Sequence, residues 1–201
     1  MKPTTAQEEL AFLQSLVRGS DNFQRHFGQI YFAAGAIYCG QMLLHAAQAA
    51  GWIADGPSGL LIGLGPTLLF LGVLTWLLKR QGPAPPTAAN RAVGVVFGGA
   101  GMTNLAMVAV VGGAAWRAGS LEVWLIYPSL VAVLQGLAWM VAWQVRRRAW
   151  YGFVALGWFA TGVGMGFLVD APVAYLTIAG TGMFAFMLVP GWVMMRQPRA
   201  D

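Results

Sequence analysis

Six apolar runs, each about 20 residues or longer, follow one another with only short polar breaks between them: 28–50, 58–78, 92–116, 121–145, 150–169 and 171–195. A helix needs about 20 apolar residues to cross the ~30 Å hydrocarbon core of a bilayer. Only helices and closed barrels satisfy their backbone groups there. Runs of this length are too long for barrel strands, so the chain is expected to be all-α: a polytopic membrane protein with a six-helix transmembrane bundle. Charged residues make up only 9% of the chain and apolar ones 58%. A water-soluble surface could not be covered with so few charges. Residues 28–196 therefore read as the bundle, and 197–201 as a short tail.

Ahead of the bundle, residues 1–27 read as a short amphipathic helix at the membrane surface. Thr5 and Glu8 have capping-box spacing. Leu10, Leu13 and Val17 share one face, with Phe12 and Leu16 beside it, and Gly19 is the expected stop. Several charges precede the first apolar run, and that run is too long for a signal-peptide core, so no cleaved leader is expected.

Basic residues set the expected orientation. Lys2, Arg18, Arg25, Lys79, Arg80, Arg91, Arg146, Arg147, Arg148, Arg196 and Arg199 fall on one side of the spans, and Arg117 alone on the other. By the positive-inside rule both termini are cytoplasmic. Short loops and the single cysteine, Cys39, fit a bacterial cytoplasmic membrane. The net charge of +5 sits at span ends and not on one face of a soluble fold, which excludes the usual nucleic-acid footprint.

Two patterns recur along the chain. Glycine is abundant, at 27 residues, and much of it has small-xxx-small spacing: Ala36/Gly40, Gly59/Gly63, Gly94/Gly98, Ala132/Gly136 and Gly162/Gly166. In lipid, small residues let helix backbones approach, so these pairs predict tight packing, or association with a second copy through one such face. Pro66, Pro128 and Pro190 recur at intervals of 62 residues, and related runs stand at Phe32–Gly35, Phe97–Ala100 and Phe159–Gly162. Three hairpin repeats would produce both, and so would chance, since proline is common in membrane helices.

Every span carries a polar side chain near its centre: Gln41, Thr67, Thr103, Asn104, Gln135, Thr161 and Thr181. Amides are costly in hydrocarbon and should face inward. Gln41, Thr103, Asn104, Gln135, Thr161 and Thr181 are thus the candidate ligand-binding set, a neutral pocket for a small uncharged or zwitterionic solute. The same residues serve equally as interhelical hydrogen-bond glue.

No Asp, Glu, Lys or Arg stands in the central part of any span, which disfavours proton relays, charge-coupled transport and voltage sensing. His26 and His45 sit near opposite ends of one span and cannot jointly ligate a haem. Asp55, Glu122, Asp170 and His45 share the outer side, where cap and turn roles account for them, Asp170 as the cap of the last span. No hydrolase, metalloprotease, thiol-redox or phosphate-loop spacing is present. No catalytic residue, metal ligand or cofactor is therefore expected.

Two functions follow. The first is a non-catalytic membrane subunit or regulator that contacts a protein partner through the N-terminal helix or the basic cytoplasmic face. The second is a small neutral-solute binder or transporter. In size and span number alone, the chain is similar to the substrate-binding subunit of energy-coupling-factor importers.

Overall fold

The structure, a computed structural model, describes residues 6–54, 57–81 and 87–196, with side chains from residue 23 onward except at residues 57, 58 and 60. These residues are all helical apart from turns and short connections: α1 (Ala6–Ala49), α2 (Pro57–Arg80), α3 (Ala88–Ala118), α4 (Leu121–Arg146), α5 (Ala149–Gly166), α6 (Pro172–Met183) and α7 (Val189–Arg196). A π turn, Phe184–Leu188, joins α6 to α7. Five helical segments are long and apolar enough to cross a membrane: Phe23–Ala49, Leu61–Arg80, Ala88–Ala118, Leu121–Arg146 and Pro172–Arg196.

α5 is not among the five. It is 18 residues long, and Trp150, Tyr151, Trp158 and five glycines lower its apolarity. It is also the helix most enclosed by protein. Tyr151, Gly152, Val154, Ala155, Trp158, Thr161, Gly162 and Met165 are all buried in the bundle. The opposite face of α5, with Phe153, Leu156 and Val163, is exposed, so the helix is buried on one side only.

The N-terminal segment differs from expectation. α1 runs unbroken through Gly19. Glycine inside a helix costs only ~1 kcal/mol relative to alanine. Without a left-handed turn to follow, Gly19 does not end the helix. The Thr5 cap lies outside the described residues. α6 also starts differently: its N-cap is Ala171, with no capping side chain, and Pro172 opens the helix. Asp170 belongs to the preceding turn. Elsewhere the ends are built as local chemistry dictates. Thr87 caps α3 by accepting from the Asn90 amide, Ser120 caps α4 by accepting from the Val123 amide, and Gly119 closes α3 at φ 61°.

α1 packs against α2, α6, the π turn and α7; α4 packs against α3 and α5; α5 also meets α6. The Gln81 amide donates to Gln29, the Arg146 guanidinium donates to Asn90, and Gly28 lies against Met194. The apolar start of α1, the start of α3 and the ends of α2, α4 and α7 thus meet at one end of the bundle, and Arg25, Lys79, Arg80, Arg91, Arg146, Arg147, Arg148 and Arg196 lie there.

The crossing of α1 with the π turn and α7 brings backbone against backbone. A Cβ added at Gly35 would lie 2.5 Å from the Leu188 backbone nitrogen, and one at Gly191 would lie 2.4 Å from that of Phe32. The outer helices are the opposite case. None of the α2 span is buried and only 6% of α3. Leu61, Leu64, Leu68 and Leu71 on α2, and Val95, Met102, Leu105 and Val110 on α3, are exposed.

Candidate functional site

Proline inside a helix leaves the carbonyl four residues earlier without its amide partner. In hydrocarbon no water is at hand to supply a replacement. All three mid-span prolines of this chain have a polar side chain from another helix at the break. Pro66 interrupts α2, and Gln41 Nε2 of α1 donates to both Ile62 O (3.1 Å) and Gly63 O (3.0 Å). Pro128 interrupts α4, and Tyr175 Oη of α6 donates to Leu125 O at 2.5 Å, one carbonyl on from the vacated one. Ser129 Oγ also reaches Leu125 O (3.4 Å). Pro190 follows the π turn, and Trp158 Nε1 of α5 donates to Phe186 O at 3.0 Å, the carbonyl four residues before the proline.

The donors do not follow the 62-residue interval of the prolines. Position 103, in register with Gln41, is Thr103, which bonds within its own helix, and position 165 is Met165. The breaks recur, but the side chain that meets each one differs.

Trp158 links the third break to an aromatic hub. Tyr31 Oη accepts from Trp139 Nε1 (2.6 Å) and Trp158 Nε1 (3.1 Å) and donates to Gln135 Oε1 (3.2 Å). One donor and two lone pairs are thereby fully used. Tyr31, Trp139 and Trp158 are 4%, 1% and 2% exposed, so the two indole bonds are made inside protein, and the bond to Gln135 is half-buried. Rings continue from the hub to the basic end. Trp139 lies edge-on to Tyr151 (5.1 Å between centroids) and Phe97 (5.7 Å), and Tyr151 is edge-on to Trp150 (4.2 Å). Gln24 Nε2 donates to Tyr151 Oη at 3.1 Å, and the Arg146 guanidinium lies 5.8 Å from the Phe23 ring. These groups line a partly open cavity of about 10 Å³, bounded by Phe23, Gln24, Phe27, Trp139, Arg146 and Tyr151. Such a volume holds about one water molecule.

The six candidate binding residues are placed separately. Gln41 seals the Pro66 break, and Gln135 accepts from Tyr31. Thr161 is buried and donates to Gly157 O. Thr103 and Thr181 are exposed and donate to Gly99 O and Thr177 O within their own helices. Asn104 lies on the α3 stripe that also carries Asn90, Val93 and Phe97. Its Oδ1 is buried with no hydrogen-bond partner. Thr67, the remaining mid-span threonine, is exposed. The structure thus joins Gln41 and Gln135 to other helices by hydrogen bonds, packs Thr161 against Gly182 of α6, and brings no pair of the six together in a hydrogen bond. Among the described residues no three His, Cys, Asp or Glu side chains converge, and His45 Nδ1 lies 3.0 Å from Gln48 Oε1 of the next helical turn.

Sequence reasoning did not single out Tyr31, Tyr175, Trp139 or Trp158. The signal was available: each proline calls for a donor, and tyrosines and tryptophans deep in a span are the side chains long enough to bring one. Comparison with protein-family models, with curated proteins and with solved structures gives no match.

Proposed function

We propose that the chain is a non-catalytic, six-span membrane subunit or regulator that works by contacting another protein. The observation that carries this reading is where the mid-span polar groups are spent. Gln41, Gln135, Tyr31, Tyr175 and Trp158 hold helices to one another, and the cavity beside the hub has room for about one water. A rigid, filled interior with bare outer helices suits a protein whose working surface is its outside. α1 supplies further support. Residues 6–22 continue its helix ahead of the apolar span, about 25 Å at 1.5 Å per residue, and their sequence places Leu10, Leu13 and Val17 along one face as a docking stripe.

In this reading α5 is the sixth span, with Phe153, Leu156 and Val163 on its exposed face, and both termini lie in the cytoplasm of a bacterial cell. The basic end of the bundle supports that orientation. Single cysteines at Arg148 and Asp170, in a Cys39→Ser background, test it. An impermeant thiol reagent is expected to label position 170 from outside the cell and position 148 only after the membrane is opened. Equal labelling of both from one side would remove α5 as a span.

Asn104 favours a second reading, a small neutral-solute binder, because its carbonyl oxygen is buried and uncommitted. Native mass spectrometry on protein released gently from its own membrane separates the two. A defined additional protein mass is the expected result. A small bound mass that disappears in Asn104→Leu would instead establish the solute site.

A further inference from the structure

Two helices end at the basic rim with the same four-residue spacing, Trp76 to Arg80 on α2 and Trp192 to Arg196 on α7. In an α-helix such residues lie one above the other, and here the charges stack on the rings. The Arg80 guanidinium lies 4.6 Å from the centre of the Trp76 indole, and that of Arg196 lies 4.1 Å from Trp192. Trp76 and Trp192 remain 53% and 42% exposed, so neither indole is a core residue. Both arginines are exposed as well.

α2 and α7 pack on the same short stretch of α1. Gln81, next to Arg80, bonds Gln29, and Gly191, next to Trp192, lies against Phe32. The two pairs thus flank one neighbourhood at the bundle's end. Tryptophan settles at the headgroup level of a bilayer. A guanidinium held over an indole face is restrained in position while N–H groups stay available to a ligand. The guanidinium edge matches a phosphate oxygen pair in a bidentate contact.

We propose that Trp76–Arg80 and Trp192–Arg196 are headgroup sites for anionic phospholipid. Charge complementarity selects the occupant. An anionic headgroup leaves the arginine–phosphate pair unopposed, whereas a zwitterionic one brings its own cation to the same phosphate. The inference needs only that these helices cross a bilayer, and it is independent of any protein partner.

The test uses the full-length protein in nanodiscs of equal phosphatidylglycerol and phosphatidylcholine, with retained lipids counted by native mass spectrometry. Phosphatidylglycerol is expected to be enriched by about fivefold for each arginine engaged. Arg80→Gln with Arg196→Gln should remove most of the enrichment. Arg117→Gln, at the opposite end, should leave it unchanged. Trp76→Leu with Trp192→Leu keeps every charge and removes only the stacking, and it should also lose most of the enrichment. Parity in the unmodified protein, full enrichment in the arginine pair, or an equal loss in Arg117→Gln overturns the proposal. Full enrichment in the tryptophan pair also overturns it, because a diffuse basic field would then suffice. All substituted side chains are surface residues, and unchanged thermal unfolding of each variant checks that the comparison is between folded proteins.

Discussion

Gly191→Ala is expected to cost roughly 3 kcal/mol, the upper part of the range for overpacking, and to lower the thermal midpoint in detergent by more than any surface substitution. The added methyl would lie 2.4 Å from Phe32 N, 2.7 Å from Phe32 Cα and 2.9 Å from Gly28 O. All three are backbone atoms of α1, so no rotamer change relieves the contact and the helices must separate. Gly35→Ala meets the Leu188 backbone from the other side of the same crossing and should behave alike. Gly98→Ala provides the contrast. Nothing lies within 4 Å of its added carbon, and alanine's helix propensity should make it neutral or stabilising by up to ~1 kcal/mol. A Gly191→Ala protein as stable as Gly98→Ala would show that α1 and α7 do not meet as described.

That contrast also marks what the sequence could reveal about packing. Small-xxx-small spacing identified Gly136 and Gly162, whose added carbons would lie 2.8 Å from Phe159 and Val133. It equally identified Gly40, Gly63, Gly98 and Gly166, which face open space. It missed Gly28, Gly35, Gly157, Gly182 and Gly191, all tightly opposed. The spacing reports a helix face without side chains, whereas close approach depends on whether a second helix arrives there. Only tertiary structure decides that.

Tyr31→Phe should be the costliest loss of a single polar atom, roughly 2 kcal/mol by chemical or thermal unfolding in detergent. An average interhelical hydrogen bond in a membrane protein is worth only ~0.6 kcal/mol, because the separated helices find other partners. Removing this hydroxyl does more than delete one bond. Trp139 Nε1 loses its acceptor and Gln135 Oε1 its donor, and each buried group left unpaired costs about 1–3 kcal/mol. Trp158 keeps the Phe186 carbonyl and is spared. A loss below about half a kilocalorie would mean that water from the adjoining cavity replaces the hydroxyl.

The hub shows why the interior was harder to read than the spans. Five spanning segments follow from apolar length, a property of the local chain. Gln41 was rightly singled out as a polar group needing a partner, but that partner is a carbonyl exposed by Pro66, which was noticed separately as part of a possible repeat. Linking the two requires knowing that α1 packs on α2 at that depth. At Gly19 and Asp170 strong local rules give way to context. α1 had no turn to make at Gly19, and α6 took Pro172 as its opening residue.

The π turn at Phe184–Leu188 carries more weight than its five residues suggest. A π turn accommodates one residue more than the α-helical path it replaces, and one residue is a rotation of about 100° around the helix axis. The turn therefore acts as a phase setting between the two halves of the last segment. With it in place, Pro190, Gly191 and Met194 face inward while Trp192 and Arg196 face out. A chain of the same composition but one residue shorter here would carry the same side chains out of phase, with the smooth glycine face turned away from α1.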